Sequence, residues 1–479
     1  MKKLILLVAS VAVLSVLASA AEARAVQPSL EQLQAEQLRM QAQIQALITR
    51  LDGLETANTE LRGENAGLKQ QLANVDELRD AEIDGLKSQT GELREQGNAA
   101  AVELDKLKGA DWASRIRFKG DLRVRNETIQ SERVVGSGAT AEVADAADRN
   151  RMRFRARMNA EARVTDSTRV VLGLASGEGD PRSTNQTFTN TSSGKGVYID
   201  LAYADWAFAP GAHLVLGKQK QPYWRTGQSL FFDSDINPEG GAVTFERGAF
   251  FGSAYAWWLQ EGYDSSPSGN NEDANIVGAQ AGLKFPLLSG ETRVAAHYYD
   301  CGACRYNNPF WSGGNAYGNT TVTQGSGSSA VEVLRHDYNV VVLSGEVNTT
   351  LFGLPWQVWG DWARNLASGV QYDTAWSIGT FLGKASGPGT WEAGLMYQVM
   401  GKDALFAQLI DSDFAAGNTD GDGWALRAGY APTRNIGLYA TYMLNGLYQD
   451  VAPVSGPGYE IGRNLDYDRL QLDVVYRFQ

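Results

Sequence analysis

Two hydrophobic rhythms divide this chain. From about residue 28 to 108 apolar positions recur every seven residues. Leu30, Gln37, Ile44, Leu51, Asn58, Asn65 and Leu72 form one row, and Leu33, Met40, Leu47, Leu54, Leu61, Leu68 and Val75 form a second, three residues further on. These are the a and d positions of a left-handed coiled coil. The step from Leu72 to Ile83 reads as a four-residue stutter, which locally unwinds a supercoil. The seam resumes at Ile83, Leu86, Leu93, Leu104 and Leu107, weakened by Thr90, Gly97 and Ala100. The pattern predicts a helix roughly 110–120 Å long. Such a helix cannot bury its stripe alone, so it requires copies of itself or another partner. Asn58 and Asn65 in the core cost stability but fix register and strand number.

At Ala110-Asp111-Trp112 the seven-residue rule stops and alternation begins. In 389–400, Trp391, Ala393, Leu395, Tyr397 and Val399 alternate with Glu392, Gly394, Met396, Gln398 and Met400. In 435–445, Ile436, Leu438, Ala440, Tyr442 and Leu444 alternate with Gly437, Tyr439, Thr441 and Met443. The chain closes on Leu472, Val474, Tyr476 and Phe478 in the same phase, with Gln479 after them. A period of two is the signature of a strand with two unlike faces. Clear strands are predicted at 114–126, 150–164, 275–285, 290–299, 389–400, 423–431, 435–445 and 465–478. Others, less sharp in register, fall at 168–175, 197–208, 212–220, 240–247, 249–260, 336–348, 354–364 and 372–384. The count is about 16 strands, with 18 also compatible.

Long polar, Gly/Ser/Asn-rich stretches lie at 127–149, 176–196, 261–274, 300–335, 401–422 and 446–464. Short links are Gly248, Leu287-Leu288-Ser289 and Pro432-Thr433-Arg434. Long loops on one side and short turns on the other are the asymmetry of a transmembrane barrel. Either 221–241 or 300–335 could fold inward to narrow a lumen; the sequence does not choose. The expected fold class is therefore an all-β transmembrane barrel of about 16 antiparallel strands, preceded by a long α-helical coiled coil. Trp206, Phe208, Trp257, Trp258, Trp356, Trp391, Trp424 and Tyr476 suit aromatic girdles at the two membrane interfaces.

The first residues change the compartment. Met1-Lys2-Lys3, an apolar stretch from Leu4 to Leu17, and small-x-small sites at Ala18-Ser19-Ala20 and Ala21-Glu22-Ala23 read as a secretory signal peptide, cut after Ala23 or Ala20. Past it no window approaches the ~18 consecutive apolar residues of a spanning helix. The expected domains are a signal peptide (1–23), a coiled coil in the periplasm (28–108) and an outer-membrane barrel (111–479). The net charge of −12 argues against nucleic acid as a partner. The only cysteines, Cys301 and Cys304, suggest a small disulfide in an oxidising compartment, against the alternative of a redox or metal motif. His213, His297 and His336 fit no metal spacing, and neither metal nor cofactor is expected. No Ser/His/Asp or paired-acid constellation points to an enzyme.

Arginine is the sharpest local feature. Opposite the apolar row Ile116, Phe118, Leu122 and Val124 stand Arg115, Arg117, Lys119, Asp121, Arg123 and Arg125. Opposite Met152, Phe154, Ala156, Met158, Ala160, Ala162 and Val164 stand Arg151, Arg153, Arg155, Arg157, Asn159, Glu161 and Arg163. One Arg facing lipid near the midplane costs ~2–4 kcal/mol. Successive ones are intolerable there, so the arginines must face water. Two neighbouring strands would then carry a basic ladder that concentrates anions. The alternative is that these arginines pair with inward acids such as Asp121, Glu161, Asp200, Glu246, Glu346 and Asp361, and only brace the lumen.

On Arg149-Asn150-Arg151-Met152-Arg153-Phe154-Arg155-Ala156-Arg157, Leu214-Val215-Leu216-Gly217-Lys218-Gln219 and Leu472-Asp473-Val474-Val475-Tyr476-Arg477-Phe478, the chain resembles the bacterial outer-membrane putative porin family. It is similar to phosphate-selective and carbohydrate porins that carry an N-terminal coiled coil. The resemblance implies a trimeric 16-stranded barrel that passes small hydrophilic solutes; it carries over no substrate. The expectation is a water-filled channel for passive diffusion with anion preference, its partners being outer-membrane lipid, two further copies of itself and small hydrophilic or anionic solutes. Peptidoglycan is a candidate partner of the coil. The rival readings are a solute-specific channel for phosphate or an organic acid, and an envelope tether or adhesin with a plugged barrel.

Overall fold

The computed structural model describes scattered positions between 35 and 79 and residues 81–98, 114–135, 142–189, 191–262, 272–448 and 464–478. The signal-peptide reading, the boundary at 110–112 and the seam positions from Leu33 to Leu68 lie outside the described residues. The chain separates into two units, residues 1–107 and 108–479.

In the first unit, residues 81–98 form an α-helix, and the described positions between 69 and 79 are also helical. A coiled coil needs a second helix, and the described residues of this single chain supply one. Its seam is consequently open: Leu72, Leu86 and Leu93 are 62, 55 and 67% exposed.

In the second unit, sixteen antiparallel strands close into a ring. In chain order they are β1 (Ile116–Val135), β2 (Arg149–Arg163), β3 (Thr168–Ser176), β4 (Val197–Ala209), β5 (Ala212–Lys218), β6 (Glu239–Arg247), β7 (Phe250–Gln260), β8 (Ala274–Leu287), β9 (Gly290–Gly302), β10 (Asn339–Leu351), β11 (Leu354–Asn365), β12 (Thr374–Gly383), β13 (Thr390–Met400), β14 (Gly421–Ala431), β15 (Ile436–Leu447) and β16 (Asn464–Phe478). Each pairs with the next, and β1 pairs with β16 from Gly120↔Phe478 to Arg133↔Asn464, which closes the barrel. Two short strands, Glu142–Asp145 and Gln186–Thr187, merely extend the pairing of β1 and β2. The alternative of eighteen strands is thereby excluded, since neither short strand crosses the wall. β1 also runs to Val135, further than alternation suggests, because Asn126, Thr128 and Gln130 break the apolar row while still pairing with β16.

Alternation dictates which side chains face lipid. Outward positions such as Phe118, Leu172, Ile378, Trp391, Leu395, Trp424, Tyr442 and Tyr476 are 38–55% exposed in the isolated barrel, as lipid-facing residues must be. The links β6–β7, β8–β9, β10–β11 and β14–β15 are tight turns at one end, with Gly248 at φ +62° in the first. The long loops gather at the other end. Trp257 departs from the girdle expectation: it points inward, is 4% exposed and stacks on Tyr255 at 4.8 Å. Among the described residues no helix is long and apolar enough to cross a membrane.

The interior is not uniformly wet. Inward side chains of β7–β12, including Tyr255, Ile276, Tyr299, Val342 and Ala363, pack against Tyr223 and Phe232 from the β5–β6 loop, Phe310 and Tyr338 from the β9–β10 loop, and Leu405 and Phe406 from the β13–β14 loop. Cys301 and Cys304, disulfide-bonded and fully buried, belong to the same mass. This hydrophobic filling occupies one flank of the barrel. Water is left the other, along β12–β16, β1 and β2.

A tight cross-strand fit marks the edge of the filling. Trp359 faces Gly379, and a Cβ on Gly379 would collide with the indole ring. Gly379→Val is expected to destabilise the barrel by about 1–3 kcal/mol through overpacking. Its folded band should collapse on unheated gels at a lower temperature than that of the parent chain.

Candidate functional site

The site is built on the register of three adjacent strands. Across β1 and β2, Arg123 faces Arg155, Arg125 faces Arg153, Asp121 faces Arg157 and Glu127 faces Arg151. Across β1 and β16, Arg125 faces Asp473. Like charges placed opposite one another on a sheet repel, so the wall requires intervening acids. Arg125 is held by both oxygens of Asp473, at 2.7 and 2.8 Å. Asp121 accepts from Arg155 and Arg157, each at 2.8 Å. Fully buried Glu127 binds Arg151 and Arg469, with Arg153 3.9 Å away. Lys119 pairs with Glu161 at 2.8 Å. Arg115, Arg117 and Arg163 are exposed at the short-turn end of the same strands.

Two loops complete this electrostatic arrangement, and both carry the tripeptide Asp-Ser-Asp. The β5–β6 loop (219–238) presents Asp233-Ser234-Asp235, and the β13–β14 loop (401–420) presents Asp411-Ser412-Asp413. They meet in the lumen. The Asp233 amide donates to the Leu409 carbonyl (2.7 Å), the Asp411 amide to the Leu230 carbonyl (3.2 Å), and the Ser412 amide to the Asp233 carboxylate (3.0 Å). In each tripeptide the first carboxylate accepts from the amide of the third residue, at 2.8 and 2.9 Å. That internal bond turns the third Asp toward the arginines. Asp235 reaches Arg157 at 3.2 Å, with Arg155 at 3.9 Å. Asp413 reaches Arg469 at 2.8 Å and Arg125 at 3.0 Å. The candidate 221–241 therefore does fold inward, anchored also by Thr226 on Asp361 (2.7 Å) and by Trp224 on Gln280. The candidate 300–335 also folds inward, but into the filling rather than the cavity, with Phe310 donating its amide to Gln408. The second crossing loop, 401–420, was legible only in the repeated tripeptide.

Environment divides the four loop carboxyls. Burial raises Asp413, but Arg469 and Arg125 outweigh it and hold the group well below the usual carboxylate range. Burial likewise opposes Arg155 and Arg157 at Asp235, and the arginines win. Asp233 is pushed well above the usual range by burial and then by Asp411. Asp411 is pushed up to about 6 by burial and then by Asp413. The third residue of each tripeptide is thus the ionised partner of the wall, and the first is the reluctant one.

Between the wall and these loops lies a cavity of about 610 Å³. Nine basic side chains line it against six carboxyls. A second recess, toward the long loops, is lined by Arg133, Arg149, Arg151, Arg153 and Arg469 against Glu178, Asp180 and Asp413. Of the acids weighed as partners for the wall, Asp121 and Glu161 take that role. Asp200 accepts from Asn237, Glu246 pairs with Lys284, and Glu346 and Asp361 hold the crossing loop. His213 binds Asp205, His297 binds Tyr255, and His336 lies near Asp403. Among the described residues no three His, Cys, Asp or Glu side chains gather as a metal site.

A closed, even-stranded antiparallel barrel with an apolar outside and a charged interior is the architecture of outer-membrane channels. The chain belongs to the family described as "Putative porin", whose sequence profile matches residues 26–306. No curated protein matches it. Among solved structures, a high-pH structure of OprB from Pseudomonas putida aligns at a TM-score of 0.45 and 12% identity, covering 75% of this chain and 94% of that one. A loop-deletion mutant of OmpT, an outer-membrane protein of Vibrio cholerae, aligns at 0.42 and 14%, covering 76% and 99%. A triple mutant of Rhodopseudomonas blastica porin aligns at 0.40 and 12%, covering 76% and 100%.

A carboxyl that titrates near 6 adds negative charge to the cavity as pH rises from 5 to 7.5. The anion-to-cation permeability ratio is expected to fall over that interval, and Asp411→Asn to flatten the fall. Reversal potentials in a KCl gradient measure both.

Proposed function

We propose that this barrel is a passive outer-membrane channel for small hydrophilic solutes that favours anions. The observation that carries the reading is the excess of basic over acidic side chains around the cavity. One of the six carboxyls, that of Asp233, is pushed well above the usual range by burial, which widens the excess. The low-dielectric filling on the opposite flank concentrates the field of the wall in the remaining path. The ladder Arg115, Arg117, Lys119, Arg123, Arg125, Arg151, Arg153, Arg155, Arg157 and Arg163 is therefore partly braced by acids and partly available. Arg123 is its most available deep member: its one side-chain contact is with Asn185, at 2.6 Å. A channel specific for phosphate or an organic acid would use the same residues.

Removing Arg123 deletes one of the nine basic charges that line the cavity. Arg123→Ala is expected to lower the chloride-to-potassium permeability ratio roughly twofold or more in planar bilayers. An unchanged ratio would refute the role of the ladder and leave the channel intact.

The same proposal covers assembly. β1 enters the wall from the short-turn end, which in outer-membrane barrels is the periplasmic one. The residues before it are therefore read as periplasmic, and the open Leu72, Val75, Ile83, Leu86 and Leu93 seam as the contact of a three-stranded coiled coil between copies. Ile83→Asp with Leu86→Asp places carboxylates in that seam and is expected to convert trimers to monomers in light scattering of the detergent-solubilised protein. Trimers that survive would separate the helix from oligomerisation.

A further inference from the structure

The wet flank of the lumen has two unlike walls. One is the basic wall of β1 and β2. The other carries an apolar band beside Arg427, Tyr439 and Thr441: Phe381 on β12, Met396 on β13, Ala425 on β14 and Met443 on β15 all border the cavity. The register sets them side by side, with Met396 facing Ala425 and Ala425 facing Met443. Leu230, from the crossing loop, packs on the same band. Leu230 and Phe381 are only partly buried, so the band presents apolar surface to the cavity rather than closing on itself. Packing of Phe414 beneath it accounts for Met396 and Met443, which are 4 and 5% exposed, but not for the open faces of Leu230 and Phe381.

On the basic wall a polar valence is unspent. The Nε of Arg123 is buried without a hydrogen-bond partner. Its neighbour across the sheet is another cation, Arg155, whose Nε and Nη2 are both committed to Asp121. A buried donor without an acceptor is costly, and Arg123 lines the cavity, so its guanidinium lies beside any anion held there.

We propose that the cavity is a binding station for organic monocarboxylates with a short apolar body, the carboxylate on Arg123 and the body along Leu230 and Phe381. The proposal rests on the anion reading above and adds the substrate class. A fully hydrated inorganic anion would gain from the basic wall alone. A carboxylate with a hydrocarbon tail gains from both walls, because the tail leaves water as it meets the band.

The test is block of chloride current through the full-length protein in planar bilayers. The half-blocking concentration of hexanoate is expected to be at least about tenfold below that of acetate. Hexan-1-ol, with the same tail and no charge, should leave the current unchanged. Leu230→Gln with Phe381→Gln should bring hexanoate close to acetate. Equal block by hexanoate and acetate, equal block by hexanol and hexanoate, or an unchanged hexanoate advantage in the double variant would each overturn the proposal. The comparison of hexanoate with acetate in the parent chain decides the matter even where the double variant fails to fold. An anion-selective channel indifferent to tail length sinks the station alone. A cation-selective channel sinks the anion reading, whatever the blockers do.

Discussion

The charge balance of the arginine wall rests in part on the meeting of two Asp-Ser-Asp turns in the lumen. An unpaired charge held away from bulk water is far more costly than a paired one, and removal of one partner from such a pair typically costs 3–5 kcal/mol. The arginines of β1, β2 and β16 cannot all stand side by side without acids between them. Their own strands supply Asp121, Glu127, Glu161 and Asp473. The remainder comes from Asp235 and Asp413, delivered by loops rooted elsewhere in the ring. The crossing of the loops is therefore an electrostatic requirement as much as a way to narrow the path.

How much of this is legible in the sequence follows from the range of each interaction. Alternation is a local property of the backbone, so the strands of β13 and β15 and the inward phase of the Arg rows can be read from a dozen residues at a time. The extent of β1 cannot, because Asn126, Thr128 and Gln130 are held by pairing with β16, more than three hundred residues away. Trp257 looks like a girdle residue until Tyr223 and Tyr255 are seen beside it. The loop at 401–420 is Gly- and Asp-rich and reads as an ordinary surface connection. Only the recurrence of Asp-Ser-Asp at 233 and 411 hints that two distant segments share a task. The seven-residue seam is the converse case: its pattern is plain, but among the described residues only one helix carries it.

The division of the interior into a filled flank and an open one changes what the barrel is. In a lumen lined evenly by polar groups, a solute samples all azimuths. Here Tyr255, Tyr299, Val342 and the loop aromatics leave only the sector around β12–β16, β1 and β2. For the channel proposed above, a solute would meet cations on one side and an apolar band on the other, so its orientation would matter as well as its size and charge.

The filling also bears on the order of biogenesis. Its members come from 223–236, 255–276, 299–316, 334–342 and 363–410, so it cannot condense until β13 and the loop after it have been delivered. Contacts of such wide sequence separation form late and slowly. Until then Tyr299, Phe310 and Tyr338 lack their neighbours Phe406 and Leu405. A chain that stops before residue 400 would leave these aromatics without the partners that bury them.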